Sequence, residues 1–422
     1  MPGLLRPLRA LRGARLADGA LVDIELDAGL VTAITPASSI PAGDDELDLD
    51  GFLVITAPAE PHAHLDKARS WDAANPEFGD LVRAVDSWRA FSATATEDDI
   101  YARALAQATA MLQLGTTAVR THVDLLGGEL HGSDDPLRGA RALLRVRERL
   151  AGLMDFQLVA LGGEWTPTEV FDAALDLGVD LMGGAPHLAA DPLAEVARAV
   201  EIADRRGVPI DLHTDESLDG PLTILEYARL TRGRAQPVSA GHCVRLGTLA
   251  PAELAEVIET LLAGDIGIIS LPITNLYLQG WEHPVSTPRG LTALRPLLDA
   301  GVRVGAGADN VRDPFNPVGR GDALETASLL VTAGHLDLFE AIAAISDGAR
   351  SVMSMPDAGP TVGARAELLA VRAESLSDLI ATASMDRFVI HQGRLVASSR
   401  VESQIALSVE ELSAVSSHTV QA

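Results

Sequence analysis

Residues 58–67 read PAEPHAHLDK, directly after the apolar run GFLVITA at 51–57. The two histidines one residue apart have a definite geometry if the run is a strand. Residues i and i+2 of a β-strand point to the same face. His62 and His64 would then present both imidazoles to one side, within reach of one ion. Lys67 follows, and it is the single lysine among 33 Lys+Arg residues. A lone histidine at a strand end is more often a hydrogen-bonded structural residue than a ligand. The rest of the chain must decide between these readings.

Outward from this stretch, roughly 56 to 350, short apolar runs alternate with alanine- and leucine-rich helical stretches. The runs end near TAPAEPHAH, TAVRTHVD, FQLVALGG, DLMGGAPH, VPIDLHTDE, PVSAGHC, IGIISLP and VRVGAGADN. Between them lie helical patterns such as YARALAQATAMLQL, PLAEVARAVEIADRR and PAELAEVIETLLAG. Strands alternating with helices predict a parallel α/β fold, and eight strands close a (β/α)8 TIM barrel. The first 55 residues have a different character. ALVDIELDAGLVTAI carries two β-rich runs around DAG, a hairpin signal, and LDLDGFLVITA adds another. AELLAVRA and RFVIHQGRLVAS repeat this character near the other end, with Gly393 in an expected turn. The chain thus divides into 1–55 and 356–422, joined as one small β domain, and a barrel over 56–355.

Six of the histidines, His62, His64, His122, His187, His213 and His242, fall at or just beyond predicted strand C-termini, and the eighth strand ends in Asp309. His131, His283, His335, His391 and His418 fall in loops, helices or the terminal domain. In a barrel all strand C-termini converge on one face, where active sites are built. His213 and Asp309 could complete a His3Asp shell with His62 and His64, leaving one position open, as a catalytic metal site requires.

Composition narrows the function classes. The formal net charge is −26, with 59 Asp+Glu, which repels phosphate backbones and speaks against nucleic-acid binding. No apolar run approaches the ~18 residues that span a membrane. Cys243 is the one cysteine, so no intrachain disulfide forms, in keeping with a reducing cytoplasm. The arginine-rich start MPGLLRPLRALRGARL runs straight into strand-like sequence and is read as part of the domain rather than as a targeting segment. No P-loop or GxGxxG fingerprint is found.

EPHAHLDK, RTHVD, HTDE, GHC, LPITNLYLQG and GADNVRDPFNPVG, in that order over roughly 56 to 325, resemble the amidohydrolase superfamily and its cytosine deaminase branch. The resemblance implies a small β-sandwich from the two termini beside the barrel. It also implies one divalent metal ion, zinc or iron, and hydrolysis by a water activated at that ion. His62 and His64 match the first-strand ligands, His213 the fifth-strand ligand and Asp309 the eighth-strand acid. His242 matches the histidine that faces the water and reacting carbon, and Glu216 the proton-shuttling glutamate. The implied substrate is a nitrogen heterocycle, pyrimidine- or triazine-like, that loses ammonia or an amine. A homo-oligomer is compatible with this reading.

Some superfamily members bridge two metals with a carbamylated lysine on the fourth strand. That strand, DLMGGAPH, has no lysine, which favours a mononuclear site. Lys67 is expected to contact substrate or to anchor the first loop through Asp66. In cytosine deaminase a glutamine in an FPQEG-like stretch reads the pyrimidine edge. Here the segment is LGGEW, and Gly163 takes the glutamine's place. Paired aspartates on the eighth strand become Asp309 and Asn310, which looks more like the N-alkylammelide amidohydrolases. Mismatched buried polar groups discriminate strongly, so cytosine itself is in doubt. Trp165 or Trp281 could reshape the pocket, and Gln279 in NLYLQG is a candidate substrate contact. Two other readings remain: ring opening of a cyclic amide, and a barrel kept for binding alone.

Overall fold

A computed structural model describes residues 4–126, 135–402 and 404. His131 and His418 lie outside the described residues. Eight parallel strands run in chain order: Ala59–Ala63, Ala118–Asp124, Asp155–Leu161, Leu181–Gly184, Ile210–Thr214, Val238–His242, Gly267–Ser270 and Val304–Ala306. Each pairs with the next, as the alternating pattern predicted. The strands are almost wholly buried because helices cover the outside of the barrel and side chains fill its interior.

The helices carry the end signals their sequences advertise. Pro192–Arg206 starts on Asp191, whose side chain accepts from the Ala194 amide, with proline at its first position. Arg205 and Arg206 occupy its last turn, and Gly207 ends it in the left-handed region at φ +66°. Glu97–Gln113 opens on Thr96 and three consecutive acids, which suits the positive end of the helix dipole.

Closure between the eighth and first strands is unusual. Pro61 lies inside the first strand and has no N–H to give. The seam is made instead by a parallel bridge between Ala63 and Asp309, by the His64 amide on the Asp309 carbonyl at 3.3 Å, and by Glu60. The buried Glu60 carboxylate accepts from the Ala308 amide at 2.8 Å and the His62 amide at 3.1 Å. The two residues thus held beside the seam, His62 and Asp309, are the proposed ligands at either end of the chain order.

A second eight-stranded sheet draws on both ends of the chain and forms the sandwich-like unit. Strands Ala10–Arg15, Leu21–Asp27, Leu30–Pro36, Glu46–Asp48 and Phe52–Thr56 join Leu368–Arg372, Arg387–His391 and Arg394–Ser399. The predicted hairpin is present, turning at Ala28 and Gly29. LDLDGFLVITA divides into two strands around the Asp50–Gly51 turn, and Gly393 turns the last hairpin at φ +71°. Buried Arg350 ties the two units together. Its guanidinium donates to the Ala57 carbonyl and to Thr117 Oγ1, and faces Glu367 at 3.9 Å. No helix among the described residues is long and apolar enough to cross a membrane.

Candidate active site

The strand C-termini bring His62, His64, His213 and Asp309 into one buried cluster. His62 Nε2 and His64 Nε2 lie 3.2 and 3.1 Å from His213 Nε2. Asp309 Oδ1 lies 3.3 Å from His64 Nε2 and 3.8 Å from His62 Nε2. Donors about 2.1 Å from one ion, set about 90–120° apart in a shell with a fifth position open, stand about 3.0–3.6 Å from one another. The spacings of 3.1, 3.2 and 3.3 Å fall in that range, and the His62–Asp309 spacing of 3.8 Å lies just above it.

Its electrostatics fit a cation as well. Both Asp309 oxygens are buried and have no hydrogen-bond partner. Burial, then the nearby Glu216, Asp313 and Glu60 carboxylates, push the Asp309 carboxyl well above its ordinary range. Such a group is stable as an anion only beside a positive charge. Burial also pushes His62, His64 and His213 well below the usual imidazole value, with neighbouring positive charge adding to the effect. They stay neutral and keep a lone pair to offer. Three neutral imidazoles and an otherwise costly carboxylate can together hold one divalent ion.

Beside this cluster, His242 stands at the end of the sixth strand. Asn275 Nδ2 lies 3.1 Å from its Nδ1. With the amide donating there, the ring proton sits on Nε2, which is buried with no protein partner. Burial pushes His242 down to about 4, so the ring is a neutral N–H donor at pH 7. Glu216 places Oε1 3.6 Å from His242 Nδ1 and Oε2 3.3 Å from His187 Nε2. Burial would raise the Glu216 carboxyl, but His242, His187 and Lys67 outweigh it and hold it below its ordinary value.

The other anticipated residues fall as follows. Lys67 is buried, with Nζ 2.7 Å from Asp124 Oδ1. It stands 3.9 Å from Asp66, which instead accepts the Asp124 amide at 3.0 Å. Asn310 lines the cleft, and its amide donates to Asp313 Oδ2 at 2.8 Å. A Cβ on Gly163 would lie 2.5 Å from the Trp165 ring, so the missing side chain is what lets that indole in. Trp165 lines the cleft, whereas Trp281 is half exposed and donates to the Tyr277 carbonyl. Gln279 does not line the cleft. Its amide holds the Glu216 carbonyl at 2.7 Å.

His122 sits behind the cluster, its ring 4.0 Å from that of His62. It faces Asp211, which Arg120 already balances at 3.0 Å. Asn275, Glu60, Asp124 and Trp88 were not singled out from the sequence. Asn275 lay inside the noted LPITNLYLQG segment and Asp124 inside RTHVD. Trp88 lies on Leu81–Ser92, a helix the alternating pattern did not reveal. The cleft spans about 730 Å³ counted to its open mouth, and beyond the polar groups its wall is apolar, including Leu81, Val85, Leu161 and Phe315.

The fold recurs in known proteins. The chain superposes on a 5-methylcytosine deaminase from Klebsiella pneumoniae with a TM-score of 0.83, at 28% identity, over 94% of this chain and 100% of that one. Residues 160–397 match the sequence profile of the amidohydrolase family. The chain belongs to the amidohydrolase family. It is 30% identical over 384 residues to the pterin deaminase of Rhizobium rhizogenes strain K84, covering 89% of this chain and 87% of the relative. It is 27% identical over 378 residues to the N-isopropylammelide isopropyl amidohydrolase of Pseudomonas sp. strain ADP, covering 85% and 89%. Amidohydrolase membership makes a metal-dependent hydrolase of the barrel described above and agrees with the resemblance carried by the ordered motifs.

Proposed function

We propose that the protein hydrolyses an exocyclic C–N bond of a nitrogen heterocycle, releasing ammonia or an amine, with one zinc or iron ion held by His62, His64, His213 and Asp309. The observation that carries this reading is the cluster of three neutral imidazoles, His62 and His64 at 3.2 and 3.1 Å from His213 and at 3.8 and 3.3 Å from Asp309, beside the Glu216–His242 pair. Relatives that deaminate pterin and 5-methylcytosine or act on N-isopropylammelide support the class of substrate.

A divalent ion in this shell supplies Lewis acidity and a water acidic enough to be a nucleophile near neutral pH. The chain's residues then divide the proton work. Asp309 accepts a proton from the attacking water. Glu216, ionised at rest, takes the other proton of the added water and hands it to the ring nitrogen, and the proton held by Asp309 leaves with the departing amine, a general acid–base contribution of about 10²–10⁴-fold. His242 donates Nε2–H toward the oxygen that becomes negative as the tetrahedral centre forms. Lys67 and Asn310 on the cleft wall orient the ring, and Trp165 stands where a Gly163-position side chain would have read its edge.

The test is direct. The purified protein is assayed for bound metal and for amine release from cytosine, isocytosine, creatinine, ammelide and pterin. About one equivalent of metal and turnover of at least one ring are expected, with both lost in His62→Ala and Asp309→Ala. No bound metal, together with unchanged behaviour of both variants, would refute the proposal. Product mass distinguishes this reaction from ring opening, which adds water and releases nothing.

A further inference from the structure

Lys67 makes one contact that the proposed chemistry does not use. Its Nζ lies 3.0 Å from His64 Nδ1, as well as 2.7 Å from Asp124 Oδ1. The second Asp124 oxygen accepts from Trp88 Nε1 at 2.6 Å. The side chain is only 3% exposed, and the Trp88 and Phe315 rings lie 5.5 and 5.9 Å from its Nζ.

Donor counting exposes a conflict. The other nitrogen of the same ring, His64 Nε2, points into the ligand cluster, 3.1 Å from His213 and 3.3 Å from Asp309. A neutral imidazole carries one N–H. If Nε2 gives its lone pair to an ion, the proton is on Nδ1. An ammonium has three donors and no acceptor. Nδ1–H and Nζ–H would then confront each other across 3.0 Å. Ligating histidines ordinarily give this N–H to a carboxylate or carbonyl, and Lys67 offers neither. Repulsion between the ammonium and a nearby dication acts in the same direction.

We propose that the Lys67 ammonium and a divalent ion compete for His64, so that loading the ion drives Nζ off Nδ1 and leaves it to Asp124 and the cleft. Lys67 is then a positioning residue that links the metal site to the substrate site. In the metal-free protein it occupies His64, and in the loaded protein it stands as a free donor on the cleft wall. The partly buried Asp124 carboxylate, which accepts from Trp88, is what retains it there. The proposal rests on His64 being a metal ligand and is independent of which ring is the substrate.

Metal affinity, measured by competition with a chelator, has an opposite sign for the two possible roles. Lys67→Met is expected to bind zinc about tenfold more tightly than the wild type. Lys67→Gln, whose amide oxygen can accept from Nδ1–H, should bind at least as tightly as Lys67→Met. Asp124→Asn should bind more weakly, because Lys67 loses its other partner. A residue that merely supports His64 predicts a 10–100-fold loss on its removal, and such a loss in Lys67→Met and Lys67→Gln would overturn the proposal. The wild type supplies a second readout that needs no variant. Because Lys67 is the only lysine in the chain, selective ¹³C labelling of lysine gives a single side-chain signal by NMR. Zinc added to the metal-free protein should move that signal, with the change complete at one equivalent. An unmoved signal in protein that has taken up its ion overturns the proposal alone. A wild type that takes up no ion overturns the metal reading and this inference with it.

Discussion

Asn275, with its amide donating to Nδ1 of His242 at 3.1 Å, places the ring proton on Nε2, which has no protein partner and is left for the oxygen of the proposed reaction. Asn275→Leu removes that constraint. We expect kcat to fall by roughly 10–100-fold with little change in KM, the pattern of a group that acts mainly in the transition state. Steady-state kinetics on the first ring that turns over checks this. Glu216→Gln should lower kcat by about 10²–10⁴-fold while metal content stays at the wild-type level, since Glu216 is outside the donor set. The proposed ligand residues stand out in the sequence because each combines a telling residue type with a strand end. Asn275 does not, because an asparagine in a loop-like segment carries no such signal until the His242 ring is seen beside it.

At the scale of the element, the first strand depends on a side chain where a backbone group is missing. Pro61 cannot donate, and Glu60 accepts the His62 and Ala308 amides with its two oxygens. Glu60→Gln offers one acceptor oxygen and one NH2, so one buried amide is left facing a donor. The expected cost is about 1–3 kcal/mol, read as a lower urea midpoint, with weaker metal binding because His62 and Asp309 flank the seam. Barrel strands were legible as apolar runs bounded by turn residues. The helix Leu81–Ser92 lies outside the strand and helix alternation read from the sequence, although Leu81, Val85 and Trp88 recur at helical spacing; in the structure these three face the cleft.

Across the whole molecule, Arg350 joins the terminal sheet to the barrel through Ala57, Thr117 and Glu367. Arg350→Met should destabilise the protein by about 3 kcal/mol, the low end for loss of one buried partner, since Arg365 and His391 still face Glu367. Calorimetry reads this as a lower Tm. Within the terminal sheet, the Arg12 guanidinium, together with the Gly43 amide, holds Glu46 down to about 2 from its ordinary 4.5. A depressed carboxyl contributes stability above its unfolded pKa and loses it as pH falls through its folded one. The wild type should therefore lose stability between about pH 4.5 and 2 more steeply than Glu46→Gln, as acid titration of the urea midpoint would show.

The roles proposed for Glu216 and His242 came from the resemblance of the ordered motifs, whereas the sequence by itself carried the strand and helix alternation, the β character of both termini, and the placing of His62, His64, His213, His242 and Asp309 at strand ends. These are local properties: apolar runs, turn residues, and chemically distinctive side chains at strand ends. Only the tertiary structure decided how those residues are held and tuned. Glu60 closes the barrel across 248 positions of chain, Asn275 sets a tautomer from the helix after the next strand, and Trp165 fills the space above Gly163. Lys67, isolated in the sequence, acquires its meaning only from Asp124 and His64 on either side of its ammonium. Hydrogen-bond partners of buried polar groups are set by which strands become neighbours, and that is information no single stretch of the chain carries.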